Sequence, residues 1–175
     1  MQVRTAMPED AMDIAIVSVD TWRTAYEGII PSEFLQALSY EKRKLVWDQN
    51  IADKSNTIFV VENSDAKIIG FAVVAKREEN KVVGATDLTA LYLLEEYQGS
   101  GIGKLLMKQV FKHCVAIQAT KVFVEVLADN KTLHFYEYYG AQFVEMKQLN
   151  IGGNIINEAI YVWEDVSETL SKLSN

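Results

Sequence analysis

Leu91-Tyr92-Leu93-Leu94-Glu95-Glu96-Tyr97-Gln98-Gly99-Ser100-Gly101-Ile102-Gly103-Lys104-Leu105-Leu106 is the stretch whose reading decides the fold. Residues 86–93 are apolar and β-branched enough to predict a strand. Glycines at 99, 101 and 103 follow, and the clearest helix of the chain begins at once. In it Ile102, Leu105, Leu106, Gln109, Val110, His113, Cys114 and Ile117 recur at helical spacing and are mostly apolar. A strand that passes through glycines into a helix start suits phosphate. Glycine accepts positive φ and lets a ligand approach the main chain. The unpaired N–H groups and dipole of the helix start favour an anion. Lys104 adds a charge. A turn that merely permits tight strand-to-helix packing is the competing reading.

Spacing removes two familiar phosphate loops. A dinucleotide fingerprint starting at Gly99 needs glycine where Lys104 stands, and a P-loop ending at Gly103-Lys104 needs glycine at 98 and a hydroxyl residue at 105. The chain has Gln98 and Leu105 there.

Outward from this stretch, residues 57–61 and 67–74 predict two strands joined by a turn through Asn63-Ser64-Asp65. Val3-Arg4-Thr5 reads as a first strand. A helix after Pro8 places Ala11, Ile14, Ala15, Ser18 and Trp22 on one face and is broken by Gly28 and Pro31. Phe34, Leu35 and Leu38 mark a short second helix, and residues 41–51, with Leu45, Val46 and Trp47, a third segment. Downstream come a strand at 121–127, a short helix at 131–139 closed by Gly140, and a hairpin of 142–149 and 155–163 turning through 150–154. Strand, helix, strand from 86 to 127 is a βαβ-like unit inside a strand-rich order. This predicts one mixed α/β (α+β) domain over 1–175, with no linker or repeat.

Bulk properties narrow the function. The 175 residues are 49% hydrophobic and 23% charged, as in soluble globular domains. A net charge of −7 argues against nucleic acid or an anionic membrane as partner and suits a cationic substrate. Cys114 is the single cysteine, which removes an intrachain disulfide and a Cys-rich zinc site, and His113 and His134 are too few for a multi-histidine metal centre. No metal is expected. Glu9 and Asp10 interrupt the N-terminus where a signal peptide would be apolar. No apolar run approaches the ~18 residues of a membrane span. The expected location is cytoplasmic.

The stretch 91–106 closely resembles the signature of the GNAT superfamily of N-acetyltransferases. A second block fits the same family: Asn130, then Phe135-Tyr136-Glu137-Tyr138-Tyr139-Gly140-Ala141-Gln142-Phe143, where Ala141 and Gln142 stand between a glycine and a phenylalanine that the family places together. The order of elements also agrees, so the resemblance covers nearly the whole chain. It implies the acyl-CoA N-acyltransferase fold: a central, mostly antiparallel twisted sheet of six to seven strands flanked by helices. Residues 1–55 would form the acceptor side, 86–140 the acetyl-CoA-binding core and 141–165 a C-terminal hairpin.

The resemblance further implies an enzyme that transfers acetyl directly from acetyl-CoA, as co-substrate, to a primary amine, such as a polyamine or a xenobiotic amine. No Cys or Ser nucleophile stands beside a suitable histidine, in keeping with direct attack. A non-catalytic acyl-CoA sensor and a protein N-terminal or lysine acetyltransferase are the alternatives. The main chain of Leu91, Tyr92 and Leu93 would pair with the pantetheine arm, with the Leu93 N–H aimed at the thioester oxygen, a contact worth ~3 kcal/mol in the transition state. Gln98, Gly99, Ser100, Gly101, Ile102, Gly103 and Lys104 would hold the pyrophosphate.

Asn130 would bind the coenzyme arm, or simply cap a helix. Tyr136 would protonate the departing thiolate; on periodicity alone it is a core aromatic. Asp87 stands where many members carry the base glutamate, with Glu27 and Glu125 in reserve. Trp22, Tyr26 and Glu27, with Phe34 beside them, would line the acceptor pocket, aromatic faces and carboxylates suiting an ammonium. His113 and Cys114 read as core. A homodimer through the C-terminal strands completes the expectations.

Overall fold

The computed structural model describes residues 1–175. Seven strands form one sheet in the order β1-β2-β3-β4-β5-β7-β6. They are β1 (Gln2–Thr5), β2 (Thr57–Glu62), β3 (Ile68–Ala75), β4 (Ala85–Leu93), β5 (Lys121–Leu127), β6 (Gln142–Ile151) and β7 (Asn154–Trp163). Every neighbouring pair is antiparallel except β4 and β5. That parallel pair needs a crossover, which α4 (Ile102–Ala116) supplies. Between β1 and β2 lie α1 (Ala11–Ala25), α2 (Ser32–Gln36) and α3 (Tyr40–Ala52); α5 (Thr132–Tyr138) follows β5, and α6 (Val166–Ser174) closes the chain.

Helices cover both faces, so the inner strands bury both sets of side chains; β3 is buried at every position from Ile68 to Val74. On one face, Ile102, Leu106, Met107, Val110, Phe111 and Cys114 of α4 meet Val122, Val124 and Val126 of β5, Leu88 of β4 and Trp163. Large apolar side chains covered in this way contribute ~1.5–3 kcal/mol each. On the other face, Ala11, Ile14, Ala15 and Val17 of α1 and Trp47 of α3 pack on Ile58, Val60, Phe71 and Val73. No helix is long and apolar enough to cross a membrane.

Some elements differ from expectation. On α4 the buried stripe runs through Met107 and Phe111, while Leu105 and Ile117 are exposed and His113 is half-exposed against Phe59. The stripe is rotated because α6 covers part of this helix. In α3 only Trp47 is buried; Leu45 and Val46 face outward. The terminal helix α6, capped by Asp165 accepting from the Glu168 N–H at 2.9 Å, lies beyond the predicted hairpin.

A bulge in β4 shapes the site. Val73 pairs with Ala90 but Val74 pairs with Leu88, leaving Thr89 as the extra residue. The side-chain alternation therefore flips: Leu88, Leu91 and Leu93 all face α4, while Ala90 and Tyr92 face α1. The strand also bends away from β5, and the β4–β5 ladder stops at Leu88–Val124. Beyond that pair the sheet is split.

Candidate active site

The split leaves main-chain groups available. The Leu94 N–H donates to the Ile69 carbonyl at 3.0 Å, and Gly70 stands opposite Leu93. Antiparallel alternation then gives Ala90 and Tyr92 to the β3 ladder and turns the N–H and C=O groups of Leu91 and Leu93 toward the gap. On the far side the Ala128 N–H bonds Asn157, which by the same alternation turns Glu125 and Leu127 to the gap. An extended chain entering between these edges finds an unpaired strand edge of the kind used in β-augmentation.

The glycine turn is built for a ligand. Gly99 and Gly101 adopt φ of +69° and +84°, and a Cβ on either would meet nothing within 4 Å. Tight packing therefore does not explain them; positive φ and open space do. The N–H groups of Gly99, Ser100, Gly101, Ile102, Gly103 and Lys104 take no acceptor within the protein. The Gln98 amide instead donates to the Leu93 carbonyl at 2.9 Å and the Ser100 hydroxyl to the Tyr97 carbonyl. These side chains fasten the turn and leave the backbone donors outward. Ile102 buries its side chain in the core and offers only its N–H. The groove above the turn, about 460 Å³, is lined by Leu91, Leu93, the turn, Phe135 and Tyr139, with Lys104 and Lys131 as its cations.

The groove runs into a cavity of about 70 Å³ within the split. That is roughly twice one water's share of liquid volume. Tyr26, Tyr92, Tyr136 and Asn130 line it. Tyr136 is 4% exposed and held edge-on by Phe135 and Trp163, with centroids 5.8 and 5.6 Å away. Burial, with a smaller push from Tyr92, raises its phenol pKa, so the group stays protonated at neutral pH. The Tyr26 and Tyr92 hydroxyls are 3.3 Å apart. The Asn130 Oδ1 accepts from the Thr132 N–H at 2.9 Å just before α5, where Lys131 is the N-cap, and the residue lines the cavity.

On the α1 face a second pocket, about 290 Å³, adjoins this cavity and shares Tyr26, Thr89, Tyr92, Glu125 and Val126 with it. Trp22 and Tyr26 form its wall, edge to face at 5.0 Å. Tyr92 stands here too, its ring 5.5 Å from Phe71, so its side chain belongs to the α1 face and not to the groove above the glycine turn. Glu27, Phe34 and Asp87 also depart from the sequence reading. Glu27 is exposed and lines neither cavity. Phe34 packs at the hairpin tip beside Gly152.

Asp87, 1% exposed, accepts from the Arg77 N–H and Asn80 Nδ2 at 3.0 Å each and lies 3.6 Å from the Arg77 guanidinium. It lines neither the split nor the pocket on the α1 face; it stands in the part of β4 still paired with β5, opposite Phe123, and its carboxylate is taken up by Arg77 and Asn80. The carboxylates that do reach the pocket are Glu125, paired with Arg77 at 3.1 Å and Lys147 at 3.5 Å, and Glu158. Lys131, Arg77 and Glu158 escaped the sequence reading. For Glu158 a signal exists: an acidic residue between Ile156 and Ile160 on the inward face of a strand. Cys114 is fully buried, its thiol pushed up to about 12, and serves as core.

The site therefore combines a split sheet, a glycine turn with unpaired N–H groups opening onto one face and an aromatic-acidic pocket on the other. The family profile described as "Acetyltransferase (GNAT) family" matches residues 19–141, and the chain belongs to that family of N-acetyltransferases. It is 32% identical over 165 residues to the uncharacterized N-acetyltransferase YuaI of Bacillus subtilis, covering 94% of each chain. It is 27% identical to a spermidine N(1)-acetyltransferase of Thermoplasma acidophilum over 117 residues, 64% of this chain and 69% of that one. Among solved structures, the PaiA N-acetyltransferase of the same organism in complex with coenzyme A superposes with a TM-score of 0.73 at 22% identity, over 90% of this chain and 96% of that one. A variant of the Vibrio cholerae spermidine N-acetyltransferase SpeG gives 0.72 at 19% identity, over 98% and 96%.

Proposed function

We propose that this chain transfers the acetyl group of acetyl-CoA directly to a primary amine of a small cationic acceptor, of the polyamine kind, in a ternary complex in the cytoplasm. The observation that carries the proposal is the pairing of two cavities across one split: a groove with unpaired N–H groups and two lysines, and a pocket with aromatic walls and two carboxylates. The named activities of the spermidine-acetylating relatives support the acceptor class.

The residues present fit the coenzyme. The turn Gln98–Lys104 meets the pyrophosphate with backbone donors, Lys104 and Lys131 add positive charge, and the Leu91 and Leu93 edge pairs with the pantetheine arm. Asn130 holds that arm near the thioester. Acetyl-CoA supplies the activated acyl group. The Leu93 N–H stabilises negative charge on the carbonyl oxygen.

On the acceptor side the ammonium first gives up one proton; Glu125, the carboxylate that lines both the central cavity and the acceptor pocket, takes it through water. The nitrogen then forms the C–N bond as the C–S bond breaks. Its second proton leaves to solvent, and the thiolate takes a proton from Tyr136, which solvent later restores. The products are the acetamide, coenzyme A thiol and one net proton.

The homodimer belongs with this reading. β6 is an edge strand with Phe143, Val144 and Met146 exposed, and an antiparallel copy centred on Met146 sets Glu145 against Lys147. Light scattering on the purified protein decides between one chain and two. The catalytic claim is tested by coenzyme A release across amines, amino acids and peptide N-termini. Release with polyamines is the expected result, and release with peptides alone contradicts it.

A further inference from the structure

The pocket on the α1 face holds one carboxylate with no direct partner. Glu125 is neutralised twice, by Arg77 and by Lys147. Glu158 is half-buried and has no ion pair and no hydrogen bond. The lack of a partner is not for want of a nearby cation. Lys147 stands directly opposite Glu158 in the β6–β7 register, yet reaches past it to Glu125. A half-buried carboxylate without a partner costs stability, so its retention on an inward face, between Ile156 and Ile160, asks for a cation from outside. Trp22, Tyr26 and Tyr92 border the same space, and an aromatic border suits such a cation.

Position separates the two carboxylates by role. Glu125 borders both the acceptor pocket and the central cavity where transfer occurs; Glu158 borders the pocket alone. Across β5 and β7 Glu158 pairs with Leu127, and Glu125 pairs with Ile160, so Glu158 lies diagonally beyond Glu125. A nitrogen at the split therefore leaves Glu158 at the outer end of the acceptor.

We propose that Glu158 is the specificity-determining residue of the acceptor site and binds a second ammonium, remote from the reacting nitrogen, so that the acceptor is a diamine or polyamine and not a monoamine. Its carboxylate is the partner of that distal charge, and Leu127, Leu149 and Ile151 pack on the methylene chain between the two nitrogens. The inference rests on the acetyl-transfer reading for the orientation of the acceptor, but its test does not depend on turnover.

The experiment is calorimetric titration of the coenzyme A-loaded protein with a series of α,ω-diamines and with the monoamines of equal chain length, for wild type and E158Q. Wild type is expected to bind the best diamine at least about tenfold tighter than its monoamine counterpart, the size of one charge-assisted contact. E158Q is expected to bring that ratio close to one. Because Glu158 has no partner to lose, E158Q leaves the fold intact, which an unchanged melting profile at low pH verifies. A wild type without diamine preference, or an E158Q protein that keeps it, overturns the assignment. Diamine preference without coenzyme A release from acetyl-CoA would leave the Glu158 site standing and remove the acetyl-transfer reading instead.

Discussion

The hydroxyl of Tyr26, at the end of α1, meets that of Tyr92, on β4 beyond the bulge, at 3.3 Å on the acceptor side of the split. This contact ties the end of α1 to the strand whose other face borders the groove above the glycine turn. Burial, first, then Tyr92, raises the Tyr26 phenol pKa, so both groups remain neutral hydroxyls that orient an amine without competing for its charge. Tyr26→Phe is expected to raise KM for the amine by about three- to tenfold, the loss of one net hydrogen bond. Unchanged KM in steady-state kinetics would remove Tyr26 from the acceptor site.

Tyr136→Phe keeps the ring that packs on Trp163 and deletes the proton donor. The turnover rate should fall by about a hundredfold, the usual contribution of a positioned acid. Acetyl-CoA affinity, measured by direct binding, should stay nearly unchanged. An unaltered turnover rate would make the residue a core aromatic only.

Gly101→Val puts a β-branched side chain at φ +84° and into the space above the helix start. The backbone strain is ~1–3 kcal/mol, and the N–H groups of the turn lose their alignment. Coenzyme A binding should be lost while the circular dichroism spectrum persists. Normal binding by this variant would refute the pyrophosphate site.

Asp87 separates a structural carboxylate from a catalytic one. Asp87→Asn weakens its contacts with Arg77 and Asn80 and should cost about 1–3 kcal/mol of stability. Turnover below the melting transition should remain. A large loss of turnover without loss of stability would restore Asp87 as the base.

Glu158 gives a pH signature. Burial, first, and Glu125 raise its pKa above the ordinary 4.5, while Arg77 and Lys147 oppose that shift. A raised carboxyl stabilises the fold below its unfolded value and loses that contribution as pH rises through the folded value. Without amine, E158Q should therefore melt higher than wild type above that window and equally below pH 4.5. Equal melting temperatures at both ends would contradict the unpaired charge. Asp10 behaves oppositely: the Arg4 hydrogen bond at 2.6 Å lowers its pKa, so its contribution is lost as pH falls.

The glycine turn and the elements around it were legible in the sequence because their signals are local. Glycines before a helix, and Asn130 and Tyr136 at fixed offsets, sit on elements whose type the periodicity predicts. What stayed hidden depends on non-local geometry. The bulge at Thr89 turns Tyr92 to the α1 face, and nothing in the spacing announces an extra residue in a ladder; Asp87 is taken up by Arg77 and Asn80 from the loop before β4. The exposure of Glu27 depends on where the α1–α2 connection runs. Arg77 and Glu158 come together from a loop and a distant strand, and α6 rotates the buried stripe of α4 by covering it.

The central claim is transfer of acetyl from acetyl-CoA to a cationic amine across the split sheet. Mass spectrometry of the products formed from acetyl-CoA and spermidine, with the wild-type protein, tests it most directly. Monoacetylated spermidine in amounts equal to the coenzyme A released is the expected result. Coenzyme A release without an acetylated amine, or no release with any amine in the panel, would contradict it.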